Sequence, residues 1–162
     1  MYKAYYDSEI GIIEITASEQ GIKTLEFVET VGEGNQQGNE HIEKCIKELK
    51  DYFCGELKRF SVKLDWNGTE FQEKVWNYLL TIPFGKTVSY NQIAIALGDK
   101  KAVRAVGTAN GRNNIAIIVP CHRVIGSDGK LTGYAYGIWR KEWLLKHEGI
   151  QNFKTPEQIE LF

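Results

Sequence analysis

The spacing of apolar residues along this chain changes with position, and each spacing predicts a different kind of element. Over roughly the first 28 residues apolar and polar residues alternate, as in residues 13–16 and 25–27, which predicts a small antiparallel meander. A short strand is predicted around Phe60–Leu64. Between these segments the spacing is helical over Glu40–Phe53, through Ile42, Cys45, Ile46, Leu49 and Phe53. The first part of the chain is therefore predicted to be a compact α/β domain without an obvious reactive group.

Two capping boxes predict helices in the second part of the chain. Thr69-Glu70-Phe71-Gln72 precedes one helix, and Ser89-Tyr90-Asn91-Gln92 precedes another that Gly98 closes. A further helix is predicted to begin near Lys100. Two short helices joined by a glycine-containing turn are typical of a helix-turn-helix, although such pairs also occur as plain packing units.

The tetrapeptide Pro120-Cys121-His122-Arg123 follows a continuous apolar run, Ile115–Val119, which predicts a buried strand. The thiol of Cys121 is then expected to lie beside an imidazole and a guanidinium. Positive neighbours lower the pKa of a thiol and increase its thiolate fraction. Cys121 is therefore a candidate nucleophile, with a pKa expected below the ordinary value.

The other two cysteines, Cys45 and Cys54, are predicted to be small buried hydrophobic residues, which is the usual role of an isolated cysteine. Three cysteines without disulfide-scaffold spacing favour a reducing cytoplasm. His41 and Cys45, with Cys54 beyond them, form only a fragment of a metal site. No metal is expected, because a fourth ligand with standard spacing is missing.

A polar cluster, His147-Glu148-Gly149, ends the last predicted helix, and its glycine suits a helix C-cap. Glu148 or His147 is then either an ordinary solvated residue or the group that orients His122. The second arrangement requires this helix to pack on the cysteine segment, and it would complete a Cys–His–Glu relay.

Composition and charge narrow the class of partner. With 43% hydrophobic and 25% charged residues the chain is ordinary for a globular protein. No apolar run approaches the ~18 residues that cross a bilayer, and the first residues do not resemble a signal peptide, so no membrane partner is expected. Residues 1–66 hold 8 Lys and Arg against 13 Asp and Glu, whereas residues 67–162 hold 12 against 8. The mildly basic second part is compatible with a nucleic acid partner.

Taken in order, the motifs of residues 68–150 resemble those of the methylated-DNA–protein-cysteine methyltransferases, the O6-alkylguanine-DNA alkyltransferases. The matching segments are Gly68-Thr69-Glu70-Phe71-Gln72, Ile82-Pro83-Phe84-Gly85-Lys86-Thr87 with Ser89-Tyr90, Arg104-Ala105-Val106-Gly107, Ile118-Val119-Pro120-Cys121-His122-Arg123-Val124-Ile125 and Leu145-Lys146-His147-Glu148-Gly149. The resemblance implies an α+β fold. A small ribonuclease H-like α/β domain over residues 1–66 would precede a mostly helical domain over residues 67–162, which would carry the helix-turn-helix, the alkyl-transfer site and the DNA-binding surface.

The same resemblance implies direct reversal of DNA damage. The protein would flip O6-alkylguanine, mainly O6-methylguanine with O4-methylthymine as a further candidate, out of double-stranded DNA. It would transfer the alkyl group irreversibly to its own Cys121, in a single turnover and without a cofactor. We expect a monomer located in the cytoplasm.

The resemblance also implies roles for individual residues. Cys121 would accept the alkyl group, and Glu148 would hydrogen-bond His122, which would draw the proton from Cys121 through a water. Tyr90 would donate to the guanine, and Asn113 would brace the turn before the cysteine segment. The expected substrate-binding residues are Val124, Tyr134, Ala135 and Tyr136.

For DNA, the resemblance implies that the second helix of the helix-turn-helix enters the minor groove. Arg104 would fill the space that the flipped base leaves. The short side chains of Ala102 and Ala105 fit a narrow groove, and Lys101 and Tyr90 complete the expected DNA-binding residues. Binding is expected to depend strongly on salt.

One departure from the family bears on specificity. Many relatives carry two glycines where this chain has Tyr136-Gly137, so the tyrosine is expected to crowd the alkyl pocket and to slow bulky adducts. The alternatives to an alkyltransferase are a lesion-binding protein without transfer, a Cys–His–Glu hydrolase or acyltransferase unrelated to DNA, and a helix-turn-helix regulator.

Overall fold

The structure, a computed structural model, describes residues 1–34 and 36–155. The chain forms two compact units, each made of two segments. The first unit comprises Met1–Asn67 and Asn114–Ile118, and the second comprises Gly68–Asn113 and the chain from Val119 onward. Within the described residues, none of the helices combines the length and apolar character that crossing a membrane requires.

Three antiparallel strands form the sheet of the first unit. They are β1 (Tyr2–Ser8), β2 (Gly11–Ala17) and β3 (Ile22–Val28), in that order across the sheet. Ile13 and Ile15 of β2 are fully buried, because a period of two places alternate side chains on the face that carries the core. The predicted meander is confirmed.

Helix α1 (Glu40–Phe53) packs against all three strands. It begins at a side-chain cap, where the Asn39 carboxamide oxygen accepts from the backbone N–H of Ile42 at 3.0 Å. The predicted apolar face is buried through Ile42, Cys45 and Leu49. This helix was predicted with the bounds that the structure gives it.

The segment after α1 does not form the predicted strand. Residues 60–64 make a single β-bridge, to Ile22. The backbone N–H groups of Ser61 and Val62 donate to the carboxylate of Glu48 instead, at 3.0 and 2.9 Å. Because a side chain of α1 takes these donors, they are not available to a strand ladder.

The predicted strand over residues 115–119 is also wrong, although all five residues are buried. Ile115 bridges Leu25 of β3, and the chain then turns. Ile117 has a φ of 70°, a left-handed conformation that a β-branched residue rarely adopts. The apolar run therefore predicted burial correctly and conformation incorrectly.

Helices dominate the second unit. The elements are α2 (Glu70–Leu79), β4 (Val88–Ser89), α3 (Tyr90–Ala96), α4 (Val103–Gly111), β5 (Val124–Ile125) and α5 (Ile138–His147). Strands β4 and β5 form a short parallel pair. A small sheet domain followed by a mostly helical one confirms the predicted α+β class.

Both predicted capping boxes are present. The hydroxyls of Thr69 and Ser89 accept from the backbone N–H groups of Gln72 and Gln92, whose side chains accept from the capping residues in return. Helix α3 is followed by Gly98, whose φ is 86°. Each helix start is thus determined by hydrogen bonds within four consecutive residues.

Helices α3 and α4 form the predicted helix pair. A 3-10 turn, Lys100–Ala102, leads into α4, and the two helices pack on each other. Helix α2 also packs on α4, where the indole N–H of Trp76 donates to the carbonyl oxygen of Ala109 at 2.9 Å. These contacts hold α4 in place, while Arg104 on its outer face is exposed.

Candidate active site

A cavity of about 420 Å³ lies within the second unit, a volume in the range of small-molecule sites. Its walls come from the start of α3, one face of α4, the turn at residue 121 and the loop over residues 132–135. Five residues that the sequence singled out line it: Tyr90, Asn113, Cys121, Tyr134 and Ala135.

Cys121 begins a 3-10 turn, Cys121–Arg123, and its residue is only 4% exposed. Burial raises the pKa of Cys121, whereas a hydrogen bond from Asn113, the charge of Lys141 and a hydrogen bond from Tyr134 oppose the increase. The expectation of a lowered pKa is therefore wrong. The sequence placed positive groups beside the thiol, but it did not reveal how strongly burial disfavours a thiolate.

A buried carboxylate organises the two residues that follow Cys121. Glu148 lies at the C-cap of α5, and its Oε2 is 2.7 Å from Nε2 of His122. Nε of Arg123 donates to Oε1 of the same carboxylate at 2.7 Å. Nη1 of Arg123 also donates to the carbonyl oxygen of Ile82 at 2.7 Å. Glu148, and not His147, is the partner of His122. Glu148 is therefore the group that orients His122 and not an ordinary solvated residue.

The charge state of this cluster follows from its contacts. Burial raises the pKa of Glu148, but His122 and Arg123 outweigh burial and hold that pKa well below its usual range. Burial lowers the pKa of His122, and the opposing effect of Glu148 is smaller. At neutral pH the cluster therefore contains an ionised glutamate, a charged arginine and a neutral histidine.

The carboxylate also selects the tautomer of His122. Nε2 must carry the hydrogen, because it faces an oxygen of Glu148 that can only accept. Nδ1 then presents a lone pair, and it is a buried atom without a hydrogen-bond partner in the described chain. A neutral imidazole with an unused acceptor, next in sequence to a thiol, is suited to act as a base.

Two asparagines support the turn that carries Cys121. Nδ2 of Asn113 donates to the carbonyl oxygen of Val119 at 2.8 Å, and Nδ2 of Asn110 donates to that of Cys121 at 3.4 Å. Both side chains are buried and line the cavity. The role in bracing this turn was expected for Asn113 and was missed for Asn110.

The expected substrate-binding residues divide into two pairs. Tyr134 and Ala135 line the cavity, whereas Val124 and Tyr136 are not among its lining residues. Val124 is fully buried in β5. The ring of Tyr136 packs edge-on against the ring of Tyr134, with centroids 5.6 Å apart. The ring of Tyr136 is thus placed to limit the movement of Tyr134, which does line the cavity.

The expected DNA-binding residues divide between two places. Tyr90 begins α3 and lines the cavity, and the others lie in the 3-10 turn before α4 and in the first turn of α4. Lys101, Arg104 and Ala105 are exposed, and Ala102 is half-buried. Val103, between them, turns inward and lines the cavity. A surface of small and basic side chains is thus continuous with one wall of the cavity.

Sequence reasoning missed Lys141, which is 0% exposed. The sequence does contain a signal for the burial of this lysine. One face of α5 is buried, and its residues follow a helical spacing: Lys141, Leu144, Leu145 and Glu148. By charge alone Lys141 is one of the 12 basic residues of residues 67–162, and nothing in that count distinguishes it.

Outside the second unit, the cysteine predictions have mixed outcomes. Cys45 is fully buried as predicted, but Cys54 is exposed, because the chain leaves α1 there. In the described residues, the one group of three potential metal-ligand atoms within 4.8 Å of one another belongs to Asp51, Cys54 and Glu56 on the surface.

Two family models match the chain. Residues 1–66 match the ribonuclease-like domain of 6-O-methylguanine DNA methyltransferase, and residues 70–150 match the DNA binding domain. A protein of Methanosarcina acetivorans named methylated-DNA–protein-cysteine methyltransferase is 51% identical over 154 residues, which are 92% of this chain and 99% of that protein. A protein of the same name from Mycolicibacterium paratuberculosis is 42% identical over 160 residues, 96% of this chain and 95% of that protein.

Solved structures agree with the sequence matches. The Mycobacterium tuberculosis O6-methylguanine methyltransferase has a TM-score of 0.82 at 46% identity, covering 91% of this chain and 92% of that chain. Mycobacterium tuberculosis OGT in complex with DNA has a TM-score of 0.84 at the same identity and coverage.

Fold, site and matches together define a protein with two matched domains, a ribonuclease-like domain and a DNA-binding domain that carries a buried cysteine at a cavity. The chain belongs to the 6-O-methylguanine DNA methyltransferase family, a family of enzymes, and the family that its motifs predicted is confirmed.

Proposed function

We propose that this protein removes alkyl groups from O6 of guanine in double-stranded DNA and transfers them to Sγ of Cys121. One observation carries the proposal: Cys121 lines a cavity of small-molecule size, and the adjacent His122 is held by a buried carboxylate. A base that enters this cavity meets the thiol directly.

The reaction begins with loss of the proton of Cys121. Nδ1 of His122 is the acceptor, because its Nε2–H is committed to Glu148. A water between Sγ and Nδ1 carries the proton. Glu148 stabilises the imidazolium that forms, which compensates for the burial of the new charge.

The thiolate then attacks the alkyl carbon from the side opposite O6. The S–C bond forms as the C–O6 bond breaks, and the electron pair of that bond returns to the guanine. The hydroxyl of Tyr90, on the cavity wall, donates to the departing base and neutralises its charge. Burial raises the pKa of Tyr90, so the hydroxyl keeps the proton that a donor requires.

The base is held by groups around the cavity. The backbones of Cys121 and Ala135, which line the cavity, hydrogen-bond to its edge, and Asn113 braces the turn that presents Cys121. Val124 acts from behind this wall, where its backbone N–H donates to the carbonyl oxygen of Cys121. Tyr134 packs against the base, and Tyr136 limits how far Tyr134 can move aside for a large alkyl group.

A base inside a duplex cannot reach this cavity, so the damaged nucleotide must be flipped out. We assign the surface of Lys101, Ala102, Arg104 and Ala105 to the minor groove, where short side chains allow a close approach. Arg104 fills the space that the base leaves. Contacts of this kind depend little on DNA sequence and strongly on salt.

The product is a thioether on Cys121, from which no good leaving group can depart. Each molecule therefore reacts once, and no cofactor is needed. O4-methylthymine is a second candidate substrate. We also infer a monomer in the cytoplasm, the latter because the three cysteines are unpaired.

The decisive experiment measures the mass of the intact protein after incubation with a duplex that contains one O6-methylguanine. We expect the gain of one methyl group per chain, which maps to Cys121 and is absent in Cys121→Ala. A Cys54→Ser variant is the matched control, because Cys54 is the exposed thiol. An unchanged mass, or turnover beyond one equivalent, would contradict the proposal.

Binding to DNA is tested separately with Arg104→Ala. Its transfer rate should fall on duplex DNA and stay close to the parent rate on free O6-methylguanine base, which needs no flipping. Equal loss on both substrates would exclude the role of Arg104 in flipping. Lys74→Ala, on the exposed side of α2, is the control for the loss of one surface charge.

A further inference from the structure

Helix α5 buries a cation that the proposed reaction leaves unused. Lys141 is 0% exposed, and its Nζ donates to the carbonyl oxygen of Gly133 at 2.9 Å. The same atom lies 5.9 Å from the ring centroid of Tyr90. Gly133 and Tyr90 line the cavity together with Cys121. The ammonium group of Lys141 is therefore placed immediately behind two parts of the cavity wall.

In the part of the chain that the structure describes, no carboxylate pairs with this charge. The acidic residues of α5 and its C-cap have other partners, since Glu142 pairs with Lys146 at 2.8 Å and Glu148 pairs with Arg123 at 2.7 Å. Lys141 takes part in none of the ion pairs formed by residues 1–34 and 36–155. A lysine is almost never fully buried unless it is paired, because an isolated ammonium is costly to desolvate.

The cavity supplies one group that can become the missing counter-charge. The titratable groups that face Lys141 and Cys121 are Tyr90 from α3, His122 from the 3-10 turn and Tyr134 from the loop. His122 is faced in turn by Arg123 and by Glu148 from the C-cap of α5. Arg123 and Glu148 neutralise each other. The charge of Lys141 lowers the pKa of Cys121 against the effect of burial. Burial lowers the pKa of Lys141 itself to about 8, and a thiolate at Cys121 opposes that decrease.

We infer that Lys141 is a positioning residue for the acceptor thiol: its ammonium group holds the Gly133 turn at the cavity and stabilises Cys121 as a thiolate. The inference rests on the proposed function only for the role of Cys121 as alkyl acceptor. The proton of Cys121 leaves through water to His122 and passes from there to solvent, because burial lowers the pKa of His122 and the imidazole does not keep it at neutral pH. Lys141 keeps its own proton. Thiolate and ammonium then form a buried pair without net charge, whereas a thiol beside the same ammonium leaves one positive charge unbalanced.

The test uses the full chain without DNA, in a Cys54→Ser background that removes the exposed thiol. The rate at which iodoacetamide modifies Cys121 is measured by mass from pH 6 to 9.5. The variants are Lys141→Met, which removes the charge and keeps the length, and Lys146→Met, which removes an exposed charge from the same helix.

In Lys141→Met the midpoint of the Cys121 pH profile should move upward by about one unit or more, so that modification at pH 7 slows at least about tenfold. Lys146→Met should keep the parent profile. A loss that came only from disturbed packing would slow modification at every pH without moving the midpoint. Superimposable profiles for Lys141→Met and the parent, or slowing without a shift, would overturn the inference.

A second measurement does not depend on the folding of Lys141→Met. The titration of the Lys141 side chain is followed by ¹³C NMR at Cε in the parent and in Cys121→Ala. Loss of the thiolate should lower the midpoint of Lys141, because a stabilising negative charge is removed. Identical midpoints would mean that the two groups do not interact.

The outcomes also separate this inference from the proposed function. If methyl transfer from DNA fails while the Cys121 profile shifts, the reaction is wrong and the role of Lys141 stands. If transfer occurs and the profile does not shift, the reaction stands and Lys141 has no electrostatic role. If both hold, methyl transfer by Lys141→Met should be slow at pH 7 and should recover toward the parent rate at pH 9.5.

Discussion

Within residues 1–34 and 36–155, each unit of the molecule buries one cysteine and one glutamate. In the first unit Cys45 and Glu48 lie on the inner face of α1, and in the second unit Cys121 and Glu148 lie at the cavity and at the C-cap of α5. Burial alone does not distinguish the pairs, since all four residues are less than one tenth exposed. The two pairs differ in the groups that surround them.

Glu48 is held by groups that cannot titrate. Its oxygens accept from the backbone N–H groups of Ser61 and Val62 and from the hydroxyl of Ser61. Burial raises the pKa of Cys45 to about 12, and the charge of Glu48 adds to the increase. This cysteine remains a thiol at any physiological pH, and the glutamate fastens a loop to a helix.

The second pair is surrounded by side chains that carry or exchange protons. Glu148 contacts His122 and Arg123, and the pKa increase that burial causes at Cys121 is opposed by Asn113 and Lys141. A buried thiol thus becomes a candidate nucleophile through its polar neighbours.

The largest expected difference is between the two cysteines themselves. Cys121→Ala should abolish methyl transfer completely, because it removes the acceptor atom. Cys45→Ala should keep the transfer rate and lower the free energy of unfolding by about 1 kcal/mol, the cost of a small cavity. Intact-protein mass and urea unfolding measure the two effects. Loss of transfer in a folded Cys45→Ala protein would contradict the assignment of different roles to the two cysteines.

The two glutamates come next. Glu148→Gln leaves Arg123 buried without its counter-charge, so the free energy of unfolding should fall by about 3–5 kcal/mol. The transfer rate should fall at least about a hundredfold, because His122 loses the group that stabilises its protonated form.

Glu48→Gln is the matched control for Glu148→Gln. It should cost about 1–3 kcal/mol through weaker hydrogen bonds and leave the transfer rate unchanged. Urea unfolding measures the free energy of unfolding of both variants, and single-turnover experiments measure their transfer rates. Similar rate losses in both variants would show that the loss follows from general destabilisation.

Acid should destabilise the protein through the second pair. The pKa of His122 is lowered in the folded state, so the unfolded chain takes up the proton first and stability falls as the pH drops below about 6.5. The lowered pKa of Glu148 adds a further loss below about 4.5, where its unfolded form becomes protonated.

This acid dependence is measured by urea unfolding at pH 7.5, 6, 5 and 4. His122→Gln should remove the part between about pH 6.5 and 4.5 and keep the part below it. Parallel curves for the parent and His122→Gln over the upper range would contradict the assignment to His122.

The smallest effect concerns substrate size. Tyr136→Gly should increase the rate on O6-benzylguanine relative to O6-methylguanine by about two- to tenfold. The ring of Tyr136 packs against Tyr134, and an aromatic pair contributes ~0.5–1.5 kcal/mol. Loss of that contact corresponds to the expected change in rate. Tyr2→Ala, in the first unit, is the control. Equal rates on both substrates in the parent, or no gain in the variant, would contradict the proposal that Tyr136 restricts the size of the alkyl group.

Features encoded within a few residues could be predicted from the sequence. The capping boxes at Thr69 and Ser89, the face of α1 and the end of α5 depend on local hydrogen bonds and helical spacing. From the residues alone the pairing of His122 with Glu148 was one of the open alternatives, because 26 residues separate them and no local rule links them. The family resemblance was what implied this pairing.

Features that depend on distant contacts could not be predicted. The apolar run over residues 115–119 predicted burial, but burial is compatible with a strand and with a turn that contains Ile117 at positive φ. The predicted direction of the pKa shift at Cys121 was wrong for two reasons. The charge of Arg123 is neutralised by Glu148, and burial is a property of the whole fold.

The assignment of Asn114–Ile118 to the first unit has a practical consequence for dividing the molecule. A fragment that begins at Gly68 would keep the cavity residues but would also keep four apolar side chains of this segment, Ile115, Ala116, Ile117 and Ile118, whose burial belongs to the missing unit. A fragment that ends at Asn67 would lack the backbone that bridges Leu25. Neither half is therefore expected to fold well when it is expressed alone, because a cut between the two matched domains exposes apolar side chains in one piece and removes a backbone partner from the other.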